Sequence, residues 1–465
     1  MKIYNIILFI PILLLLSCSE SNPTEPEFNN PKNLYIADLR ESVDIIDLLL
    51  DNTVAGSAEG QYPSAERTSL QDQLKKARDY LINDLPDADQ DEVDSLVFAW
   101  FSACMDYEAS VISELDDLID PLATKETRYL YENLKKYAPD KMLFGMHDAT
   151  GYGVGWSGND TRSDIKDVCG SYPAVFSWDA HTVFNEFNLS RFKDRLELGY
   201  ENGINTLCWH QYDPEGLHFY YDHVNYEVVP TLLQGGKYHK NYLQKLFKFA
   251  LFLKQLRGPK GESIPVIFRP YHEQNGDWFW WGRTRCTEED YIDLWQLTVN
   301  YLRDTLRVHN LIYAFSPDGH HFNSKAEYFG EYPGNDFVDI LGVDYYFWNG
   351  SSELITKFQQ RLVYTVQNAQ EKGKLPALTE VGDELVDIEQ WYTRCFLAPV
   401  KNNPTTKQIA YAATWRNEGI GHHFAPYPGH ASVPDFITFY QDPFTVFADD
   451  LVDVYVLNNG LKKIP

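Results

Sequence analysis

The chain has 465 residues, 44% of them hydrophobic and 15% aromatic, enough for a large core and for more than one folding unit. Its 67 acidic against 40 basic side chains give a formal charge of −27, so the surface as a whole repels polyanions, which argues against nucleic acid as a partner. A neutral ligand feels little of that charge, and 31 Tyr, 27 Phe and 11 Trp offer flat apolar faces of the kind on which sugar rings lie, although the same residues also build cores.

At the N-terminus, Lys2 precedes an apolar stretch from Ile6 to Leu16, too short for a permanent span, that reads as a signal peptide. It ends Leu15, Leu16, Ser17, Cys18, and a small residue before such a Cys resembles the lipobox of bacterial lipoproteins. Residues 1–18 are then the lipoprotein signal and Cys18 the lipid attachment point, and the protein is expected on the bacterial outer membrane, facing the cell surface. Residues 19–33 are polar, Pro-rich and without periodicity, as a flexible tether should be. The five remaining cysteines, Cys104, Cys169, Cys208, Cys286 and Cys395, show neither a zinc motif nor a disulfide framework. A pair such as Cys169 with Cys208 stays open.

From Leu34 to about residue 125 the periodicity is helical. Leu39, Val43, Ile46 and Leu50 form one stripe, Leu70, Leu74, Ala77 and Leu81 a second, and Val93, Leu96, Val97 and Trp100 a third. Three amphipathic helices make a small all-α bundle; GQYPSAERTSLQDQLKKARDYL, then DQDEVDSL, resembles the three-helix modules of bacterial cell-surface proteins, which implies a spacer or a docking role towards the barrel or other surface proteins.

From 136 to 460 the pattern changes to short β-rich apolar runs alternating with helical ones. Eight runs stand out: 142–147, 174–178, 204–210, 264–273, 311–316, 337–346, 375–382 and 408–415. Between them lie helical patterns such as 188–201, stopped by Gly203, and 287–307, opened by Thr287 with Asp290 three residues on. Eight β-α alternations predict an α/β fold, a (β/α)8 TIM barrel, preceded by the helical bundle. An open doubly wound sheet is the alternative, but no Gly-rich dinucleotide fingerprint follows the first strand.

Several runs end in polar or aromatic side chains: His147 with Asp148, Trp178 with Asp179, Trp209 with His210, His272 with Glu273, Ser316 with Asp318, Asp344 with Tyr346, Glu380, and Trp415 with Arg416. A barrel gathers such strand ends around one pocket, so Glu273 at the end of the fourth strand and Glu380 at the end of the seventh should face each other. Two facing carboxyls with different environments are what glycoside hydrolysis needs, one protonated and one ionised. Trp278, Phe279, Trp280 and Trp281 would favour a neutral acid at Glu273, with two of the four expected in the core. Arg269 and the Tyr346 hydroxyl could favour a carboxylate at Glu380. Trp178 and Trp156 fit substrate contact and packing equally. The pairs His320–His321 and His422–His423 look like metal ligands but fit loop hydrogen bonding or subsite contacts better.

The run from Val266 to Gly282, VIFRPYHEQNGDWFWWG, resembles the acid/base signature of glycoside hydrolase family 26, and ALTEVG, Ala377 to Gly382, resembles its nucleophile segment. The likeness extends over roughly Lys136 to Leu457. It implies a retaining double displacement in a barrel, of the mannan endo-1,4-β-mannosidase type, on mannan, galactomannan or glucomannan. It further implies Glu273 as acid/base, Glu380 as nucleophile and His272 as an orienting histidine. Trp278 would lie on the leaving-group side, Tyr346 beside the nucleophile with Asp344 in the same layer and Tyr345 as the alternative register, and His210, Trp415 and Arg416 would contact sugar. No cofactor or metal is expected, because two glutamates supply both proton transfer and nucleophilic attack. The competing readings are a metallohydrolase built from His147, His210, His272, His320 and Asp344, a non-catalytic glycan-binding lipoprotein, and a related hydrolase of mixed-linkage β-glucan or β-1,3-xylan.

Overall fold

The computed structural model describes residues 31–83, 90–138, 140–184 and 189–457. The expected signal peptide, Cys18 and nearly all of the expected tether lie outside the described residues. Among the described residues no helix is long and apolar enough to cross a membrane.

Three helices come first: α1 (Pro31–Asn52), α2 (Ser64–Asn83) and α3 (Gln90–Ala109). α1 starts at Pro31, inside the stretch expected to be tether; Pro suits a first helical turn, where its missing N–H would have had no partner. The apolar stripes meet in one core that includes Leu39, Val43 and Ile46 of α1, Leu70 and Ala77 of α2, and Val97, Trp100 and Cys104 of α3. α3 also rests on the helix His239–Gln255, where Phe98 and Phe247 pack with ring centroids 4.8 Å apart. Beside that contact, buried Glu108 accepts hydrogen bonds from Arg257 Nη1 at 2.7 Å, Ser263 N at 2.6 Å and Ser263 Oγ at 2.7 Å.

Eight parallel strand segments follow: β1 (Met142–His147), β2 (Val175–Asp179), β3 (Ile204–Cys208), β4 (Val266–Arg269), β5 (Leu311–Phe315), β6 (Ile340–Leu341 continued by Asp344–Phe347), β7 (Leu375–Pro376 continued by Leu378–Asp383) and β8 (Tyr411–Thr414). Each pairs with the next in chain order and β8 pairs with β1, so the ladder of this α/β barrel returns to its start. The strands are buried on both faces, which is why their sequences read as apolar runs. The predicted helix cap is formed: Thr287 Oγ1 accepts from Asp290 N at 3.1 Å and starts the helix Glu288–Asn300.

Side chains alternate across the wall with period two. Phe144, Phe176, Leu207, Phe268, Tyr313 and Leu341 point outward into the core shared with the surrounding helices. Leu143, Val175, Ile204, Ile267, Ile312 and Ile340 belong to a second core with Leu130, Tyr131 and Leu134 of α4 (Lys125–Tyr137). The periodic reading left α4 unassigned; its apolar face covers the N-terminal end of the barrel. Carried two to six residues further along five of these strands, the inward row becomes polar: His147, Asp179, Arg269, Ser316, Asp344 and Tyr346.

β7 departs from this rule. Its register against β8 shifts between Leu378 and Val381, a bulge that inserts one extra residue. Strict alternation from Thr379 would turn Glu380 outward; the bulge lets both reach the interior, where Thr379 Oγ1 donates to Asp344 Oδ1 at 2.6 Å. β4 is shorter than predicted. It ends at Arg269, so Glu273 stands not at a strand end but in the turn beyond it. All five cysteines of the described part are free thiols, so the considered Cys169–Cys208 pair is not formed.

Candidate active site

Glu380, on the β7 bulge, accepts hydrogen bonds from Arg269 Nη2 and from the Tyr346 hydroxyl. The same guanidinium donates from Nη1 to Asp344 Oδ2 at 2.7 Å and to Ser316 Oγ at 3.1 Å, all of it buried. Burial works against the Arg269 cation, but Asp344 and Glu380 outweigh it and hold the guanidinium firmly protonated. Tyr346 is therefore the partner of Glu380. Tyr345 points to the outer layer, where its hydroxyl donates to Leu354 O at 3.2 Å.

Glu273 is held by its backbone rather than by a strand. Its φ is 55° and that of Tyr271 is 48°, left-handed conformations that cost a non-glycine residue free energy. The turn is fixed by Glu273 N donating to Ser316 O at 2.8 Å and by Gly276 N donating to Glu273 O at 2.9 Å. Trp278 Nε1 donates to Glu273 Oε2 at 2.9 Å, and Gly276 makes room for that ring, since a Cβ there would lie 2.3 Å from the indole. Burial pushes the Glu273 carboxyl well above its usual range, and the nearby negative charges of Asp344, Asp318 and Glu380 push it further. A carboxylate oxygen from each of Glu273, Asp344 and Glu380 lies within 4.8 Å of the others.

The remaining predicted residues gather around this pair. His272 is buried, its Nδ1 has no hydrogen-bond partner, and burial with the Arg269 charge drives its ring well below the ordinary imidazole range. His210 lies with its ring centroid 4.7 Å from that of His272 and shares a hydrogen bond with Asp179 between Nδ1 and Oδ2 at 2.9 Å. Burial alone would raise the Asp179 carboxyl, but His210 outweighs it and holds Asp179 below the ordinary carboxylate range. Trp415 stacks on His147 at 4.1 Å and stays partly exposed. Arg416 donates from Nη2 to Glu418 Oε2 at 3.0 Å, and its buried Nε has no hydrogen-bond partner. Of the aromatic run, Phe279, Trp280 and Trp281 are buried and Trp278 alone keeps accessible surface. Trp178 is core, fully buried with Nε1 on Asn205 Oδ1 at 2.9 Å. Trp156 donates to Asp164 Oδ1 at 2.6 Å.

The five residues considered for a metallohydrolase do not assemble. Among the described residues, only Asp179–Cys208–His210 and Glu273–Asp344–Glu380 bring three ligand-type atoms within 4.8 Å, and the latter is already bonded by the Arg269 cation. The paired histidines make loop contacts: His321 Nδ1 meets Asp318 Oδ1 at 2.7 Å and His422 Nδ1 meets Glu384 Oε1 at 2.8 Å. Sequence reasoning placed Asp179 and Ser316 at strand ends without their partners His210 and Asp344, and missed the Thr379 bond to Asp344 and Tyr152, whose hydroxyl lies between Asp148 and Arg416.

The family model Glycosyl hydrolase family 26 matches residues 119–416, a span that takes in both facing glutamates and ends at Arg416. The chain belongs to glycosyl hydrolase family 26. It is 32% identical over 331 residues to a mannan endo-1,4-β-mannosidase of Bifidobacterium adolescentis, a match covering 66% of this chain and 32% of that protein. The chain thus spans about a third of that relative's length. Among solved structures, a family-26 protein of a Muricauda species is 35% identical with a TM-score of 0.70, covering 74% of this chain and 96% of the other. A β-mannanase of the same family from Bacteroides ovatus is 35% identical with a TM-score of 0.68, covering 73% of this chain and 99% of the other. The family span begins upstream of α4, so the helix that closes the barrel floor falls within the family-26 domain and α1 to α3 precede it.

Proposed function

We propose that this protein is a retaining endo-β-1,4-mannanase acting on mannan, galactomannan or glucomannan, held at the outer membrane by a lipid on Cys18. The observation that carries the catalytic reading is the pair of facing glutamates. Their oxygens lie within 4.8 Å, close to the roughly 5 to 5.5 Å of retaining enzymes and short of the inverting range, and their surroundings are unequal. Glu273, kept protonated by burial and neighbouring negative charge, donates its proton to the glycosidic oxygen. Glu380, held by Arg269 and Tyr346, attacks the anomeric carbon from the opposite face. The C–O bond to the leaving sugar breaks and a glycosyl ester forms on Glu380. In the second step Glu273, now a carboxylate, takes a proton from water, whose oxygen displaces Glu380 and restores the original anomeric configuration. Trp278 lies beside the departing sugar, His272 and Asp344 position the reacting groups, and His210, Trp415 and Arg416 hold the glycone.

Azide rescue separates the two roles. Glu273→Ala should lose roughly 10² to 10⁴ in rate on polysaccharide but keep the first step on an aryl glycoside, with azide restoring turnover as a β-glycosyl azide. Glu380→Ala should form no covalent intermediate, and any azide product should be the α-anomer. The opposite anomers would reverse the assignment, and undiminished activity in both variants would refute it. Anchoring is tested separately: Cys18→Ala should release the protein from the membrane fraction, and unchanged fractionation would refute the lipid.

A further inference from the structure

Asp344 and Tyr346 share one face of β6, because successive side chains of a strand alternate, and Trp348 lies in the bend that follows the strand's last residue, Phe347. Asp344 lies deepest against Arg269, and Tyr346 is one layer up against Glu380. Trp348 is two residues further along the chain. It is 67% exposed, an unfavourable setting for an indole unless something covers it.

The indole is nevertheless backed by a built support. The His320 ring lies between Tyr345 and Trp348, with centroid distances of 4.2 and 4.7 Å. His320 is itself fixed by two hydrogen bonds, Nε2 with Tyr346 O at 2.8 Å and its backbone N with Asp318 Oδ1 at 2.8 Å. The neighbouring His321 ring is 5.2 Å from Trp278, the indole that bonds the acid/base glutamate. Trp278 and Trp348 are thus linked through the adjacent loop residues His321 and His320.

We propose that Trp348 is a sugar platform on the leaving-group side, stacking a β-linked hexose beyond the one that meets Trp278. This rests on the mannanase reading above and adds to it a specificity-determining residue for long substrates. A hexose covering on the order of 50 Å² of the exposed apolar face corresponds to roughly a tenfold gain in binding.

The test compares wild type with Trp348→Ala and Trp348→Phe on mannohexaose and on p-nitrophenyl β-mannobioside, whose sugars occupy the glycone side alone. With Trp348→Ala, kcat/KM on the hexaose should fall roughly tenfold and cleavage should move towards the reducing end, while the aryl substrate is turned over as by wild type and Trp348→Phe recovers most of the loss. An unchanged hexaose rate, or equal losses on both substrates, would overturn the platform. Wild-type protein inert on both substrates would overturn the mannanase reading itself, a result distinguishable from the other two.

Discussion

Arg269 and Arg257 are both buried arginines bonded to buried carboxylates, one near the C-terminal end of the barrel strands and the other where α3 meets the barrel. At the lower site the charges match. Glu108 receives Arg257 Nη1, Ser263 N and Ser263 Oγ, and Arg257 also donates from Nε to Lys254 O at 2.8 Å and from Nη1 to Gly261 O at 3.2 Å. At the upper site one guanidinium serves two carboxyls, Asp344 and Glu380, with a third, Glu273, alongside. Burial and the neighbouring negative charges raise the acid left over from that pairing, and burial, only partly offset by Arg269, raises Asp344 as well. A buried ion pair is therefore no mark of chemistry in this molecule; an unmatched carboxyl facing the cleft is.

Breaking the lower pair gives the largest expected effect on stability. Glu108→Ala leaves the Arg257 cation buried without its counter-charge and should cost about 3 to 5 kcal/mol in urea unfolding, with kcat unchanged at temperatures where the variant is folded. Undiminished stability, or a fall in kcat of the folded variant, would place catalytic coupling at the seam and dissolve the contrast.

Glu126 sharpens the comparison, as a buried acid in the lower half with no arginine at all. It lies in the first turn of α4, 6% exposed, beside a cavity of about 720 Å³ shared by the helical region and the barrel floor that includes neither facing glutamate. Its Oε2 has no hydrogen-bond partner, and Lys125 Nζ stands 3.0 Å from Oε1. Burial, only partly offset by Lys125, pushes the carboxyl from its ordinary 4.5 up to about 7. A raised folded-state value means that the folded protein keeps a proton the unfolded chain releases. The stability linked to this group is then complete below about pH 4.5 and is lost as pH rises to about 7. Glu126→Gln, which keeps the shape of the neutral acid, should raise stability at pH 8 by up to about 3 kcal/mol and change little at pH 4. A gain of equal size at both pH values would mean that packing, not ionisation, decides.

The upper site was more legible in the sequence than the lower. All eight predicted runs begin within three residues of an observed strand because strands buried on both faces must be apolar along their length. The polar residues closing them, His147, Asp344 and Arg416 among them, stand out against that background. What escaped has physical reasons. The bulge at Thr379 and Glu380 adds a residue without a Gly or Pro to announce it, and period two alone would have turned one of the pair outward. Asp179 and His210 are 31 residues apart, brought together only by the pairing of β2 with β3. α4 carries Leu130 and Leu134 at helical spacing, but its contacts with Leu143, Ile204 and Ile312 are invisible along the chain. Trp348 was readable as the second residue after Tyr346; nothing in the sequence told that it would be left exposed.

The smallest expected effect tests the crowding of acids directly. Asp318 is buried beside the catalytic pair and is among the charges that raise Glu273. Its Oδ1 accepts from His320 N at 2.8 Å and faces His321 Nδ1 at 2.7 Å, contacts that the amide oxygen of an asparagine can keep. Asp318→Asn thus removes a negative charge while leaving the loop in place. Glu273 must carry its proton for the first step, so activity is lost as pH rises through its raised value and the alkaline limb of kcat/KM reports it. With one like charge gone, ionised Glu273 is less disfavoured, its proton is released at lower pH, and the alkaline limb should move down in pH while the rate at the acid side of the optimum stays close to wild type. An alkaline limb that does not move would show that burial alone holds the proton. A shift to higher pH would contradict the electrostatic account, because no loss of negative charge can make a neighbouring carboxyl a weaker acid through space.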